Sequence, residues 1–309
     1  MQHRRFIISL MIFLIVALIF TTAVNKLSKE DQPAISSFES ARAYEDIQTQ
    51  LAFGNRYPGT EGHRQTQLWL QEVLQENGWS VSLNQDESVE PTIVNITGYR
   101  SSESKNWILL GAHYDTRQYA DEEFDEANRT QPVPGANDGA SGVAILTELS
   151  RALPTDLNCD ISLVFFDAED QGGINGRNWS EGAALYVESL EEKPDAVIIV
   201  DMVGDKDLNL FYERNSDAEL NQQIWRTAAN LGHEDTFISQ PKYTMLDDHL
   251  PLIQANIPTA LLIGFDYAFW HTTQDTIENV SAQSLQKVGS TLLEWLRTNP
   301  LCTSAASER

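Results

Sequence analysis

Short unbroken apolar runs alternate along this chain with stretches in which apolar positions recur every three or four residues. The runs are "TIVNITGY", "NWILLGA", "ISLVFFD", "AVIIVD" and "TALLIGF". A run that is apolar at nearly every position marks a strand covered on both faces. Helical spacing begins near Glu39 with "SARAYEDIQTQLAF". It returns in "RQTQLWLQEVLQENGW", where Leu68, Val73 and Leu74 are among the spaced apolar positions and Gly78 is a stop signal. Further helices are expected at 141–153, 176–190, 217–231, 249–256 and 281–298. Strands that alternate with helices predict an α/β fold: a mostly parallel twisted sheet with helices on both faces, in a single domain. No internal repeat or low-complexity tract interrupts the pattern.

The first residues break that rhythm. Arg4 and Arg5 precede 19 uncharged, mostly apolar residues, Phe6 to Val24, about one bilayer crossing at helical rise. The basic flank predicts a cytoplasmic N-terminus and an exported body. No A-x-A site follows, and Thr21-x-Ala23 is a poor substitute, so a signal anchor is preferred over a cleaved signal peptide. The expected plan is an anchor over 1–24, a polar linker over 25–38, a catalytic domain over 39–299 and a tail over 300–309. The domain is then membrane-anchored and lies outside the cytoplasm, or is secreted if the segment is cleaved.

Composition narrows the partners. The net charge of −24, from 45 acidic and 21 basic residues, argues against nucleic acid, whose phosphates need Lys/Arg-rich surfaces. Cys159 and Cys302 lie in no CxxC or Cys/His cluster, so a thiolate metal site is not expected. Whether the two pair is left open. N-x-[ST] sequons stand at Asn95, Asn128, Asn178 and Asn279.

The candidate chemistry sits where the strands end. His113 and Asp115 follow "WILLGA", Asp167, Glu169 and Asp170 follow "ISLVFF", Asp201 follows "AVIIV", and His271 comes shortly after "TALLIGF". Ligands of open parallel sheets bind outside the carboxyl ends of the strands. Asp138 joins them from "PGANDGASG", a glycine-rich loop before a helix. Singly, each residue has an ordinary reading: Asp138 or Ser141 as a helix cap, Asp201 as a strand-end acid, His271 as a buried histidine. Arriving together at one edge, they are the His/Asp/Glu donor set of a catalytic divalent metal, most often zinc. In "GAHYDT" one of His113 and Asp115 can bind metal while the other steadies it. The adjacent Glu169 and Asp170 cannot point the same way, so one suits the metal and the other a proton-shuttle role. Asp167 reads as structural.

"HYD", "GANDGASG", "FFDAED", "VDMVGD" and "WHTTQDT", in this order, resemble the co-catalytic zinc aminopeptidases and their relatives, the animal-type zinc glutaminyl cyclases. The likeness runs from about Ala52 to Leu296. It implies zinc held by Asp138, Asp170 and His271, with Glu169 as general acid/base. For a two-zinc peptidase it implies a second ion on His113, Asp138 and Asp201. Asp170 is a departure, since that ligand is often Glu. The substrates implied are peptide or protein N-termini.

Three stretches favour the cyclase branch. "NRYPGTEG" resembles its Arg-Tyr-Pro-Gly loop. "LDDHLPLIQANIP" resembles its Asp-Asp-His-x-Pro segment, which places Asp247 in a network with Glu169 and Asp201 and brings His249 to the substrate. "FWHTTQD" puts Trp270 at the pocket wall. Asp248 also reads as a helix cap, and Trp270 as ordinary packing. Against this branch, "QGGINGRNWSEGA" departs from the animal cyclases, and Trp179 is not in the position of their pocket tryptophan. The preferred expectation is a one-zinc cyclase that forms N-terminal pyroglutamate and releases ammonia. The alternative is a two-zinc aminopeptidase. An inactive anchored binding relative is a third, and it predicts a missing ligand where none is missing.

Overall fold

All five apolar runs are strands in the computed structural model, which describes residues 37–303. The N-terminal apolar segment and nearly all of the linker lie outside the described residues. The strands β2 (Ile93–Arg100), β3 (Trp107–His113), β4 (Asp160–Phe166), β5 (Ala196–Asp201) and β8 (Thr259–Ile263) join β1 (Ser80–Asp86) in one sheet. Its order is β1-β2-β4-β3-β5-β8. The half from β4 through β3 and β5 to β8 is parallel, whereas β1 with β2 and β2 with β4 run antiparallel.

Side chains alternate between two cores, as the pleat requires. Ile108 and Leu110 of β3, Leu163 and Phe165 of β4, and Ile198 and Val200 of β5 face one side. There they meet helices α1 (Ser40–Ala52), α2 (Glu61–Glu76), α3 (Ala140–Ala152) and α7 (Ala282–Thr298), through residues such as Ile47, Leu74, Leu146 and Leu292. Leu109, Val164, Phe166, Val197 and Ile199 face the other side, covered by Ala183 and Tyr186 of α4 (Glu181–Glu188) and Leu252 of α6 (His249–Gln254).

The structure departs from the expected elements in three places. β1, "SVSLNQD", carries no apolar run because it is an edge strand, and its side chains are exposed or half-buried. Two short strands, β6 (Leu210–Tyr212) and β7 (Phe237–Pro241), pair beside the main sheet and flank α5 (Ala218–Asn230). The helix expected at 176–190 spans only Glu181–Glu188, because Gly173, Asn175, Gly176 and Ser180 all have positive φ and turn the chain back over the sheet edge. Asn95, the acceptor of one sequon, lies buried inside β2, where its side chain donates to Asn84 Oδ1 and Gly182 O.

Neither expected cap forms. The residue at the start of α3 is Gly139, and the Ser141 hydroxyl donates to Asn137 O at 2.5 Å. Asp248 stands at the start of α6 without a side-chain capping bond. Cys159 and Cys302 form a disulfide that ties the segment after α7 to the start of β4. The described part of the expected tail, through residue 303, is therefore fastened to the body of the domain. Among the described residues, no helix is long and apolar enough to cross a membrane.

Candidate metal centre

Four parallel strands and one helix start deliver the polar residues to a single edge. His113 ends β3, Glu169 and Asp170 follow β4, Asp201 ends β5, Asp138 precedes α3, and the loop after β8 brings Trp270 and His271. One ligand atom each from Asp138, Asp170 and His271 lies within 4.8 Å of the others, and the same holds for His113, Asp138 and Asp201. His271 Nε2 is 2.9 Å from Asp170 Oδ1 and 3.7 Å from Asp138 Oδ2. His113 Nε2 is 3.1 Å from both Asp138 Oδ1 and Asp201 Oδ1. Asp138 thus turns one oxygen to each histidine and belongs to both triads.

These residues fit a bound dication. All of them are buried, and neither Asp170 oxygen receives a directed hydrogen bond. Burying several carboxylates at such distances is costly without a compensating cation. Burial pushes Asp170 up to about 6, against the pull of His271. Burial also lowers His271, but Asp170, Asp121 and Asp138 outweigh it and raise the imidazole to about 10. Two carboxylates with an imidazole, and no thiolate, form a zinc-type donor set.

A supporting layer fixes the donors. Asp115 accepts from Glu169 N at 3.0 Å and Asp170 N at 3.3 Å, and its carboxylate lies 3.6 Å from His113 Nδ1. Asp115 thus lies behind the donors, in reach of His113 and of the backbone of Glu169 and Asp170. Asp167 is structural as expected: it binds His63 Nε2 at 2.8 Å and accepts from Val94 N at 2.9 Å. Two supports escaped the sequence reading. Asp121 lies 3.3 Å from His271 Nδ1, and Asp275 accepts from Asn137 N at 2.8 Å and Asp138 N at 3.1 Å. Arg56, fully buried, donates to Pro134 O at 3.0 Å and Gly135 O at 2.6 Å and so holds the glycine-rich loop. Residue 139 must be Gly, since a Cβ there would lie 2.5 Å from His113 O.

A cavity of about 220 Å³ opens over the donors. Asp138, Glu169, Asp170, Asp201, Asp247 and His271 form its polar part, and Trp179, Met202, Met245, Leu246, Ile263, Phe265 and Trp270 its apolar walls. Glu169 is held well above the ordinary carboxylate range by burial; His113 opposes the rise, and Asp247 and Asp248 add to it. Burial and the neighbouring Asp201 raise Asp247 to about 7. Trp270 stacks on His271 with ring centroids 3.9 Å apart.

Two expectations change here. Trp179, out of place by sequence, lines the cavity, stacks toward His271 at 6.0 Å and carries the Arg117 guanidinium 4.9 Å over its ring. The irregular loop 171–180 folds it in, which no local signal announces. His249, expected at the substrate, is fully buried behind the wall and does not reach the cavity. As the first residue of α6 it turns inward, away from the direction taken by Asp247.

Known proteins share this architecture. The chain is 28% identical over 216 residues to an aminopeptidase of Bacillus subtilis; the match covers 64% of this chain, which spans only 42% of the length of that protein. The crystal structure of Porphyromonas gingivalis glutaminyl cyclase superposes with a TM-score of 0.80 at 31% identity, covering 85% of this chain and 99% of that one. A Zn-dependent exopeptidase from Parabacteroides distasonis gives 0.81 at 28% identity, covering 86% and 100%. Residues 93–296, which hold every donor described above, match peptidase family M28. The chain belongs to peptidase family M28.

Proposed function

We propose that this enzyme is a zinc-dependent glutaminyl-peptide cyclotransferase, which converts an N-terminal glutamine into pyroglutamate with loss of ammonia. The observation that carries this reading is a third cavity carboxyl outside the Asp138–Asp170–His271 triad, Asp247, which joins Glu169 and Asp201 and is raised to about 7. A hydrolase needs a base for water. A cyclase must take a proton from an amine and return it to a leaving nitrogen inside a dry pocket, which suits several acids poised near neutrality. Its likeness to the cyclase and exopeptidase structures is nearly equal, so the choice rests on the pocket.

Asp138, Asp170 and His271 would hold the zinc. When bound, the metal would polarise the side-chain amide oxygen and neutralise charge developing there. The walls formed by Trp179, Ile263, Phe265 and Trp270 would clasp the glutamine side chain and exclude water. Asp247 and Asp201 would accept from the α-amine and aim its nitrogen at the amide carbon. The new bond joins that nitrogen to the carbon, and the bond to the amide nitrogen breaks. Glu169 takes the proton from the attacking amine and gives it to the departing nitrogen, so that ammonia leaves and no net proton is consumed.

A second reading, a two-metal aminopeptidase, is favoured by one feature: the His113–Asp138–Asp201 triad is as compact as the first. In that case Glu169 would serve a water molecule. The two readings separate in one experiment that measures metal per chain and the products from Gln-initiated and Leu-initiated peptides. One zinc with pyroglutamate and ammonia is expected. Two zincs with free leucine would replace the cyclase by the peptidase.

We also propose that the apolar N-terminal segment anchors the catalytic domain to a membrane, outside the cytoplasm. The Cys159–Cys302 disulfide supports this placement, because such pairs persist in oxidising compartments.

A further inference from the structure

Behind the wall that carries Asp247 lies a buried carboxylate that belongs to neither metal triad. Glu213 follows β6 and is 1% exposed. Its Oε1 accepts from Met245 N at 3.2 Å. Its Oε2 accepts from Asn215 N and Ser216 N, each at 2.8 Å, and from the Ser216 hydroxyl at 3.1 Å. His249 Nε2 lies 3.3 Å from the same Oε2. The carboxylate therefore fixes the start of segment 245–249 through Met245 N–H and lies within ion-pair distance of His249 at its end, whose ring nitrogens make no directed hydrogen bond, and Met245, Leu246 and Asp247 of this segment face the cavity.

The grip extends to the sheet. The Ser216 hydroxyl accepts from Leu261 N of β8 at 3.0 Å, two residues before Ile263 of the cavity wall. Residues 242–248 belong to no helix or strand; backbone bonds from Lys242 N to Tyr212 O and from Arg214 N to Tyr243 O pair their start with the chain on either side of Glu213. A buried charge is tolerated only with full hydrogen bonding. Here burial pushes Glu213 up, yet His249 and the donors from Met245 and Ser216 prevail and hold it below its ordinary value.

We propose that Glu213 and His249 are positioning residues that hold Asp247 in place in the cavity, so that they govern turnover and not metal binding. The pair bears on the reaction only through Asp247, and so through the function proposed above. Glu213→Ala and His249→Ala should each lower kcat about tenfold or more, with KM changed far less and zinc content kept. Glu213→Gln, which retains an acceptor for Met245 N–H, should recover part of the loss.

The decisive readout is a double-mutant cycle with Asp247→Asn. In that background Glu213→Ala should cost less than about twofold more. Losses that multiply would overturn the proposal, as would single variants that keep kcat within about twofold of the parent. Should Glu213→Ala not fold, the cycle is run with Glu213→Gln and His249→Ala. Amide exchange supplies an arm independent of activity: peptides covering 243–249 should exchange faster in the variant while β3 and β5 stay protected. Unchanged exchange there sinks the idea. The product of the parent enzyme judges the function, whereas exchange judges the grip whichever product appears.

Discussion

Glu169 and Asp170 are neighbours in the chain, but the backbone parts them. Ala168, just before them, has a φ of 55°, and Asp115 takes up both of their N–H groups. Asp170 then meets His271, while Glu169 faces the cavity and receives the Ser180 hydroxyl at 3.3 Å. Glu169→Gln should cut turnover by about 10²- to 10⁴-fold, the usual worth of general acid–base catalysis, with zinc per chain unchanged. Survival of full activity in that variant would remove Glu169 from the proton path. A second test concerns the metal. In the metal-free protein His271, raised to about 10, carries a proton at pH 7 that a ligand nitrogen must lose. Below about pH 6 Asp170 must also lose one. Zinc binding should therefore release protons, and affinity should fall as pH falls. Calorimetry in buffers of different ionisation enthalpy would show this, and equal heats in all buffers would contradict it. The donors themselves were legible in sequence, because each stands at the end of an apolar run or in a glycine-rich loop. Asp121, Asp275 and Glu213 were not, because their meaning lies in the distant backbone groups and side chains they meet.

The strands set the site's geometry at the scale of elements. β3, β4, β5 and β8 are parallel, so their carboxyl ends share one edge, and four chain segments far apart in sequence converge there. Long apolar runs revealed those strands. They could not reveal β1, β6 or β7, whose exposed or short strands carry no such run. The loops between elements carry the weakest sequence signal. The resemblance of the Asp-Asp-His-x-Pro segment puts His249 at the substrate, yet the start of α6 turns it into the interior. At the opposite edge of the sheet, the disulfide joins the start of β4 to the segment beyond α7 and closes a loop with a sequence separation of 143. Cys302→Ser should destabilise the domain by about 2–5 kcal/mol, as loss of a native disulfide does in small secreted domains. Its kcat at 25 °C should stay close to that of the parent, because the bond is remote from the metal edge. A melting temperature unchanged by the substitution would show that the bridge does not bear on stability.

For the whole molecule, the proposed arrangement is a catalytic domain tethered by its N-terminal apolar segment. The full chain should sediment with membranes and resist extraction at alkaline pH, whereas a chain beginning at residue 37 should remain in the supernatant with the same kcat. A full-length chain found in the soluble fraction would refute the anchor, whereas a shortened chain there would show that the segment is cleaved. The net charge of −24 argues against nucleic acid as a partner. The sequence by itself determined the fold class and the His, Asp and Glu residues that meet at one sheet edge, because apolar runs and strand-end residues are local signals. Only the tertiary structure decided which acids support those donors, which aromatic rings wall the cavity and where His249 lies. Those are contacts between segments tens to hundreds of residues apart, formed only when irregular loops pack against the sheet and against each other.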